Sequence, residues 1–189
     1  MDYQRIVTEL IQVMKEFFKT KSSLFERVIS QACESLNAGN KILVFGNGGS
    51  AAQAQHFAAE LVNKFLKLRP PLPAISLTTD TSALTSIAND TSFDYVFSRQ
   101  IEALGNKGDI ALGLSTSGNS PNVIKAMKTA SERGLFTCAL TGNEGGKLAS
   151  FPDILLDVPS ENTPRIQEVH LFLLHLLAQE IEDRVQLIC

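Results

Sequence analysis

The stretch Lys41–Phe65, KILVFGNGGSAAQAQHFAAELVNKF, joins a predicted strand, a glycine-rich loop and a predicted helix. Ile42–Phe45 is a continuous apolar run, as expected of a strand that is buried on both faces of a parallel sheet. The glycines of the loop Gly46–Ser50 can take positive φ and let the backbone approach a ligand closely. From Ala51 the sequence is alanine-rich and helical in period, so the first N–H groups of this helix point back at the loop. The arrangement is typical of an anion site, most often one for phosphate.

The same predicted helix carries a second candidate site. His56 and Glu60 are four residues apart, so they stand one turn above each other on one face. Gln53 and Lys64 extend that stripe. A His-x-x-x-Glu pair can hold a metal ion, or pair a base with its orienting partner. The alternative is a polar pair on a solvated face, but a helix that follows a phosphate-type loop favours the functional interpretation.

Composition and charge narrow the class of protein. The 189 residues are within the range of one domain, and a net charge of −3 argues against binding nucleic acid by bulk electrostatics. Cys33, Cys138 and Cys189 are far apart in sequence, which suits a reducing cytoplasm and offers neither a disulfide framework nor a thiolate zinc site. The N-terminal residues do not resemble a secretory signal. The longest apolar piece, Leu171–Ala178, is too short to cross a membrane.

Predicted strands alternate with predicted helices along most of the chain. The strands are expected at residues 42–45, 74–78, 109–115, 135–140 and 154–158. Helices are expected at 79–88, 93–104 and 121–133, with a short one at 144–149 and a long last one opened by Thr163 as N-cap. Asn89 and Asp90 are predicted to form a polar turn. This order indicates a doubly wound parallel α/β sheet in a single domain, residues 1–189.

Two further helices are predicted before the first strand. Residues 3–20 and 24–36 each show an apolar stripe of helical period. Neither helix belongs to the winding of the sheet, and each needs a surface on which to bury its stripe. We therefore expect this pair, within residues 1–38, to form a homo-oligomer interface.

A second loop of candidate phosphate ligands follows the third predicted strand. Ser115, Thr116, Ser117 and Ser120 surround a glycine, and Ser120-Pro121 is typical of a helix start. Hydroxyls and helix N–H groups can bind a phosphate monoester without a lysine. Taken alone, the loop could equally be a turn that only caps its helix. Because both loops follow parallel strands, they are expected at the same sheet edge, where one ligand could span them.

The last predicted helix offers polar candidates among many apolar residues. A lone histidine such as His175 in so apolar a helix is more often a core residue than a catalyst. Gln167 lies eight residues before it, so the two side chains share a face only loosely. His170 lies well off that face and is interpreted as structural.

The order of these motifs, GNGGSA…HxxxE…ND…STSGNS…RIQE…H, resembles the sugar isomerase (SIS) domain family over essentially the whole chain, and within it the phosphoheptose isomerases. The resemblance implies a flavodoxin-like five-stranded parallel sheet and a homotetramer. It also implies interconversion of sedoheptulose 7-phosphate and D-glycero-D-manno-heptose 7-phosphate, the first step toward the ADP-heptose of lipopolysaccharide.

The resemblance also implies roles for individual residues. Glu60 and His175 would be the proton-transfer pair, and Lys64 departs from the arginine of many members. Zinc, one ion per subunit, would be bound by His56, Glu60, Gln167 and His175. The phosphate would be held by Ser115, Thr116, Ser117 and Ser120. The other substrate contacts would be Asn47, Gly48, Gly49, Ser50, Glu60, Asn89, Asp90 and Gln167.

Two non-catalytic functions remain as alternatives. A relative within the family does no known chemistry and tetramerises to promote assembly of the replication initiator DnaA. That relative lacks the glutamate and histidine matching Glu60 and His175 and has arginine at the position of Ser117, so this chain resembles the enzymes at all three positions. A regulatory sugar-phosphate sensor would need Glu60 and His175 to be idle.

Overall fold

A computed structural model describes residues 2–186 of the chain. Five parallel strands form one sheet in the order β2-β1-β3-β4-β5. The strands are β1 Ile42–Gly46, β2 Ala74–Ser76, β3 Ile110–Ser115, β4 Phe136–Thr141 and β5 Ile154–Asp157. The α-helices are α1 Tyr3–Asn37, α2 Gly49–Val62, α3 Thr81–Asp90, α4 Ser98–Leu104, α5 Pro121–Glu132 and α6 Thr163–Arg184. Two 3₁₀ helices lie at Phe93–Tyr95 and Asn143–Ser150. The predicted flavodoxin-like α/β sheet is confirmed.

The strands bury both faces of the sheet, which explains their uninterrupted apolar sequences. In β1, Ile42 and Val44 pack on one side with α1, α2 and α6, whereas Leu43 and Phe45 pack on the other side with α4 and α5. Period-two alternation therefore divides one apolar run between two separate cores.

The two predicted N-terminal helices are a single helix, so that prediction is wrong. α1 runs for 35 residues without a break, and Ser22 lies inside it with its hydroxyl bonded to the Phe18 carbonyl. The residues between the two predicted helices, 21–23, include no glycine or proline, so nothing there ends the helix. The predicted stop after residue 36 is correct: the N–H of Ala38 closes the last turn on the Glu34 carbonyl at 3.0 Å.

Other element boundaries differ from the prediction by a few residues. α3 starts later than predicted because Asp80 caps it, accepting from the Ala83 N–H at 2.9 Å. Asn89 and Asp90 are thus the last residues of α3 and not a separate turn. The predicted helix over 93–104 divides into a 3₁₀ turn and α4. Asn162, not Thr163, is the N-cap of α6.

None of the helices within residues 2–186 combines the length and the apolar character that crossing a membrane requires.

The interpretation of His170 as a structural residue is confirmed by its position on the buried face of α6. Its ring is fully buried, and Nε2 lies 3.0 Å from the carbonyl oxygen of Thr141 at the end of β4. Burial lowers the pKa of His170 to about 4 from an ordinary 6.5, although the bond to Thr141 works in the opposite direction. The folded protein therefore holds this histidine neutral.

This burial predicts a loss of stability in mild acid. Between pH 6.5 and about 4, His170 is protonated in the unfolded chain but not in the folded one, so acid favours unfolding. We expect His170 to contribute a fall of about 3 kcal/mol in the free energy of unfolding across this window. The measurement is urea unfolding of wild type and His170→Gln at several pH values. Parallel pH profiles for the two proteins would contradict the prediction.

Candidate functional site

The two candidate ligand loops leave neighbouring strands at the same edge of the sheet. β1 and β3 pair in parallel from Ile42 opposite Ile110 to Gly46 opposite Leu114. The connection after β1 leads to β2 on one side, and the connection after β3 leads to β4 on the other. The loops therefore flank the switch point of the sheet, where open α/β folds bind ligands. The predicted common edge is confirmed.

The glycine loop brings backbone close to α6. Gly48 and Gly49 are exposed at the start of α2, whereas the side chain of Ser50 is buried. A Cβ on Gly49 would lie only 2.6 Å from the side-chain Nε2 of Gln167. A side chain at this position would displace the Gln167 amide, so the glycine loop and α6 are in close contact here.

The serine loop is tightly folded against the segment after β4. Gly118 has φ +62°, and a Cβ on it would lie 1.9 Å from the Gly145 carbonyl oxygen. The hydroxyls of Ser115 and Ser120 are 3.1 Å apart across the loop. Ser120 is the N-cap of α5, as predicted, although its side chain makes no capping bond. Its hydroxyl is therefore directed across the loop toward Ser115.

The outer hydroxyls of this loop border an open cavity. Thr116 and Ser117 line it together with Ser160 and Thr163, in a volume of about 320 Å³. Ser117 is exposed and Thr116 is half-buried. The carboxylates of Glu144 and Glu161 also line this cavity, whereas Ser120 and the first residues of α5 do not.

A pair of asparagines joins the two loops, and the sequence analysis identified only one of them. Asn47 and Asn122 exchange two amide hydrogen bonds of 2.9 Å each, and the Oδ1 of Asn122 also accepts from the Val123 N–H. Asn122 is buried, so its amide groups depend on these partners. Its position just after Ser120-Pro121 is the only local signal for it. The side chain of Asn47 is thus engaged with protein, which leaves its backbone for a ligand.

The second candidate site forms where α2 packs on α6. The Nε2 atoms of His56 and His175 are 3.0 Å apart. The Oε1 of Glu60 lies 3.1 Å from the Nε2 of His56 and 3.9 Å from that of His175. His175, which the pattern of α6 alone would assign to the core, thus joins the predicted pair at the surface of a cleft.

This donor set fits a divalent metal ion. One ligand atom from each of His56, Glu60 and His175 lies within 4.8 Å of the others. The second carboxylate oxygen of Glu60 is buried and lacks a hydrogen-bond partner among residues 2–186. Two imidazole nitrogens and a carboxylate are the ligands that zinc commonly takes in open, three-residue sites. The three residues could hold a metal.

Glutamines connect this group to the glycine loop. The Nε2 of Gln53 donates to the backbone carbonyl of Gln167 at 2.7 Å, and this bond fastens α2 to α6 one turn before His56. The Oε1 of Gln53 is buried without a partner within the described part of the chain. Gln167 thus contacts the glycine loop through its side chain and Gln53 of α2 through its backbone.

Three predicted residues lie apart from this assembly. Asn89 and Asp90 are exposed at the end of α3, where their side chains bond to each other at 2.8 Å. Asp90 borders a different cavity, which includes Tyr95 and Arg99. Lys64 lies beyond the end of α2 at Val62, so it does not extend the stripe of His56 and Glu60.

Comparison with known proteins shows the family to which the chain belongs. Residues 5–142 match the family model of the SIS domain. A relative from Thermodesulfovibrio yellowstonii, a phosphoheptose isomerase, is 51% identical over 175 residues, which are 93% of this chain and 87% of the relative. A second, from Aromatoleum aromaticum and of the same name, is 60% identical over 151 residues, 78% of this chain and 76% of the relative.

Solved structures agree with these relatives. Phosphoheptose isomerase GmhA from Neisseria gonorrhoeae has a TM-score of 0.89 and 45% identity, covering 97% of this chain and 100% of that one. The chain belongs to the SIS domain family, among its phosphoheptose isomerases.

Proposed function

We propose that the chain is an aldose–ketose isomerase that converts sedoheptulose 7-phosphate to D-glycero-D-manno-heptose 7-phosphate. The observation that carries the proposal is the group of His56, Glu60 and His175 on the helix that starts at the glycine loop and the helix packed against it. The phosphoheptose isomerases that share about half of its residues support the choice of substrate. The product would enter ADP-heptose synthesis for lipopolysaccharide, in a reducing cytoplasm that the free, buried Cys33 and Cys138 favour.

Aldose–ketose isomerisation needs both parts of the site. The reaction moves a proton between neighbouring carbons through an enediol, so it requires a base at the carbon and an acid near the oxygens. Glu60 would be the base and His175 the acid, and their Oε1 and Nε2 atoms lie 3.9 Å apart on two packed helices. A phosphate held in the serine loop would supply binding energy that orients these carbons.

The remaining substrate contacts follow this division of the site. The phosphate ligands would be Ser115, Thr116, Ser117 and Ser120. The sugar would meet the backbone of Asn47, Gly48, Gly49 and Ser50 and the side chains of Glu60 and Gln167. The resemblance also implies contacts from Asn89 and Asp90, but within one chain the end of α3 lies apart from the two loops and from His56, Glu60 and His175.

We also propose that the metal is zinc. His56, Glu60 and His175 would hold it, and Gln167 would be a weaker fourth ligand. When bound, zinc would polarise the carbonyl and hydroxyl oxygens of the substrate as a Lewis acid, in place of a proton from the coordinated nitrogen of His175. Without a thiolate ligand, we expect modest affinity.

The homotetramer of the family is a further proposal. The first turns of α1 expose a run of large apolar side chains, with Tyr3 71%, Val7 52% and Ile11 46% exposed. Contiguous apolar surface of this kind is typical of subunit interfaces. It lies on α1, the single helix found in place of the two helices that the sequence predicts as an oligomer interface.

The homotetramer proposal predicts the molar mass of the protein in solution. Light scattering on the intact chain should give about four subunits, because each α1 needs a partner for its exposed stripe. Val7→Lys should lower the mass. A monodisperse, active monomer would contradict the prediction.

The zinc proposal predicts the metal content of the purified protein. Elemental analysis of protein purified without chelator should give about one zinc per chain, and His56→Ala should lose it because one of three strong ligands is gone. Asn106→Ala, at an exposed residue, is the control and should keep its zinc. Equal zinc in all three proteins would make the histidine–glutamate group only a polar contact.

The assignment of the base predicts contrasting kinetics for two variants. Glu60→Gln keeps the shape but removes the proton acceptor, so kcat should fall by about 10²–10⁴ while sugar phosphate still binds. Ser120→Ala should raise KM more than it lowers kcat, because it touches the phosphate and not the reacting carbons. Steady-state kinetics with sedoheptulose 7-phosphate makes the comparison. Unchanged turnover in Glu60→Gln refutes the base, and an inactive wild type favours the replication adaptor.

A further inference from the structure

A buried ion pair joins the segment that follows α2 to α6, the helix that carries His175. The Nε of Arg69 lies 3.2 Å from the Oε1 of Glu182, and the two side chains are only 6% and 1% exposed. A buried ion pair is weak evidence for stability, because desolvating both charges can cost more than their attraction returns. The other contacts of the pair point to a different role.

Arg69 directs the rest of its guanidinium at the backbone of the candidate base. Its Nη2 donates to the carbonyl oxygen of Glu60 at 2.8 Å, and its Nη1 donates to that of Leu61 at 2.8 Å and of Pro70 at 3.0 Å. The carbonyls at the end of α2 lack helical partners, so Arg69 satisfies them and holds the last turn in place. The planar fork of arginine suits several such bonds at once.

Glu182 fixes the segment that follows. Its two oxygens accept from the N–H groups of Phe65 at 3.0 Å, Leu66 at 2.8 Å and Lys67 at 2.7 Å. With Arg69, these bonds occupy the lone pairs of the carboxylate. Burial alone would raise the pKa of Glu182, but the three N–H groups and Arg69 together hold it below its ordinary value, so the group is charged in the folded protein.

The segment that Glu182 anchors also packs against His175. Glu182 is seven residues after His175 on α6, two turns along nearly the same face. The ring of Phe65, whose N–H is bound to Glu182, stacks on the ring of His175 with centroids 5.8 Å apart and an angle of 27° between planes. One network therefore contacts the turn that carries Glu60 and the ring that faces it.

We propose that Arg69 and Glu182 are positioning residues that set the distance between the α2 ligands His56 and Glu60 and the α6 ligand His175. A metal site, or a proton-transfer pair, loses function when its groups are misplaced by about 1 Å. The pair lies outside the cleft, so it would act only through the ligands. The kinetic part of this proposal rests on the proposed function; the metal-binding part does not.

The test compares Glu182→Gln with Asp183→Asn. A glutamine side chain can accept at only one of its two terminal atoms, so in Glu182→Gln the N–H groups of Phe65–Lys67 lose part of their anchor. Asp183 is the matched control, because it forms an exposed ion pair with Lys67 between the same two segments. The metal alone is the probe: zinc affinity by competition with a chelating dye, and the visible spectrum of bound Co²⁺, which reports ligand geometry.

We expect Glu182→Gln to bind zinc about 10–100-fold more weakly and to show an altered Co²⁺ spectrum, while Asp183→Asn matches wild type. With sedoheptulose 7-phosphate, kcat should fall and KM should stay close to that of wild type. Arg69→Lys, which keeps the charge but loses the fork, should behave like Glu182→Gln. An inactive wild type would leave the metal comparison intact and so refute only the proposed function.

Two results would overturn the proposal. The first is a Glu182→Gln protein that is less stable to urea but has the zinc affinity and Co²⁺ spectrum of Asp183→Asn. The second is failure of both Glu182→Gln and Arg69→Lys to fold, by far-ultraviolet circular dichroism, since the pair would then be a folding element and not a positioning one.

Discussion

β1 and β3 pair in parallel over five residues, and the two candidate ligand loops leave from their carboxyl ends. Because the sheet continues to β2 on one side and to β4 on the other, the crossing connections diverge and a cleft opens between them. The exchanged amide bonds of Asn47 and Asn122 hold the loops at a fixed separation. The positions of both candidate phosphate-binding loops depend on this one strand pairing.

Helix α2 connects the glycine loop to the candidate catalytic group. It begins at the glycine loop and, two turns later, presents His56 and then Glu60 to His175 of α6. A ligand whose phosphate is bound by hydroxyls and helix N–H groups would thus extend toward a carboxylate and two imidazoles. Binding energy collected at the phosphate can then orient carbons that the phosphate never touches, which is how an isomerase uses a remote anion.

Local patterns predict the strands, both loops and the His56–Glu60 pair, because each depends on residues close in sequence. The break predicted in α1 is wrong because a gap between two apolar stripes does not end a helix where no glycine or proline lies between them. Arg69 and Glu182 are 113 residues apart, and Asn47 and Asn122 are 75 apart, so no local signal relates their members. His175 follows from the family resemblance; its own helix predicts a core residue.

Deuterium exchange tests the central claim most directly, namely that a carboxylate at this cleft moves a proton between neighbouring carbons. Sedoheptulose 7-phosphate is incubated with the protein in D₂O and followed by proton NMR. The account predicts that deuterium enters the product at the carbon next to the carbonyl, because a proton taken by Glu60 can exchange with solvent. It also predicts that exchange slows with turnover in Glu60→Gln. Product that forms at the wild-type rate in Glu60→Gln, with the same deuterium content, would contradict proton transfer through this residue.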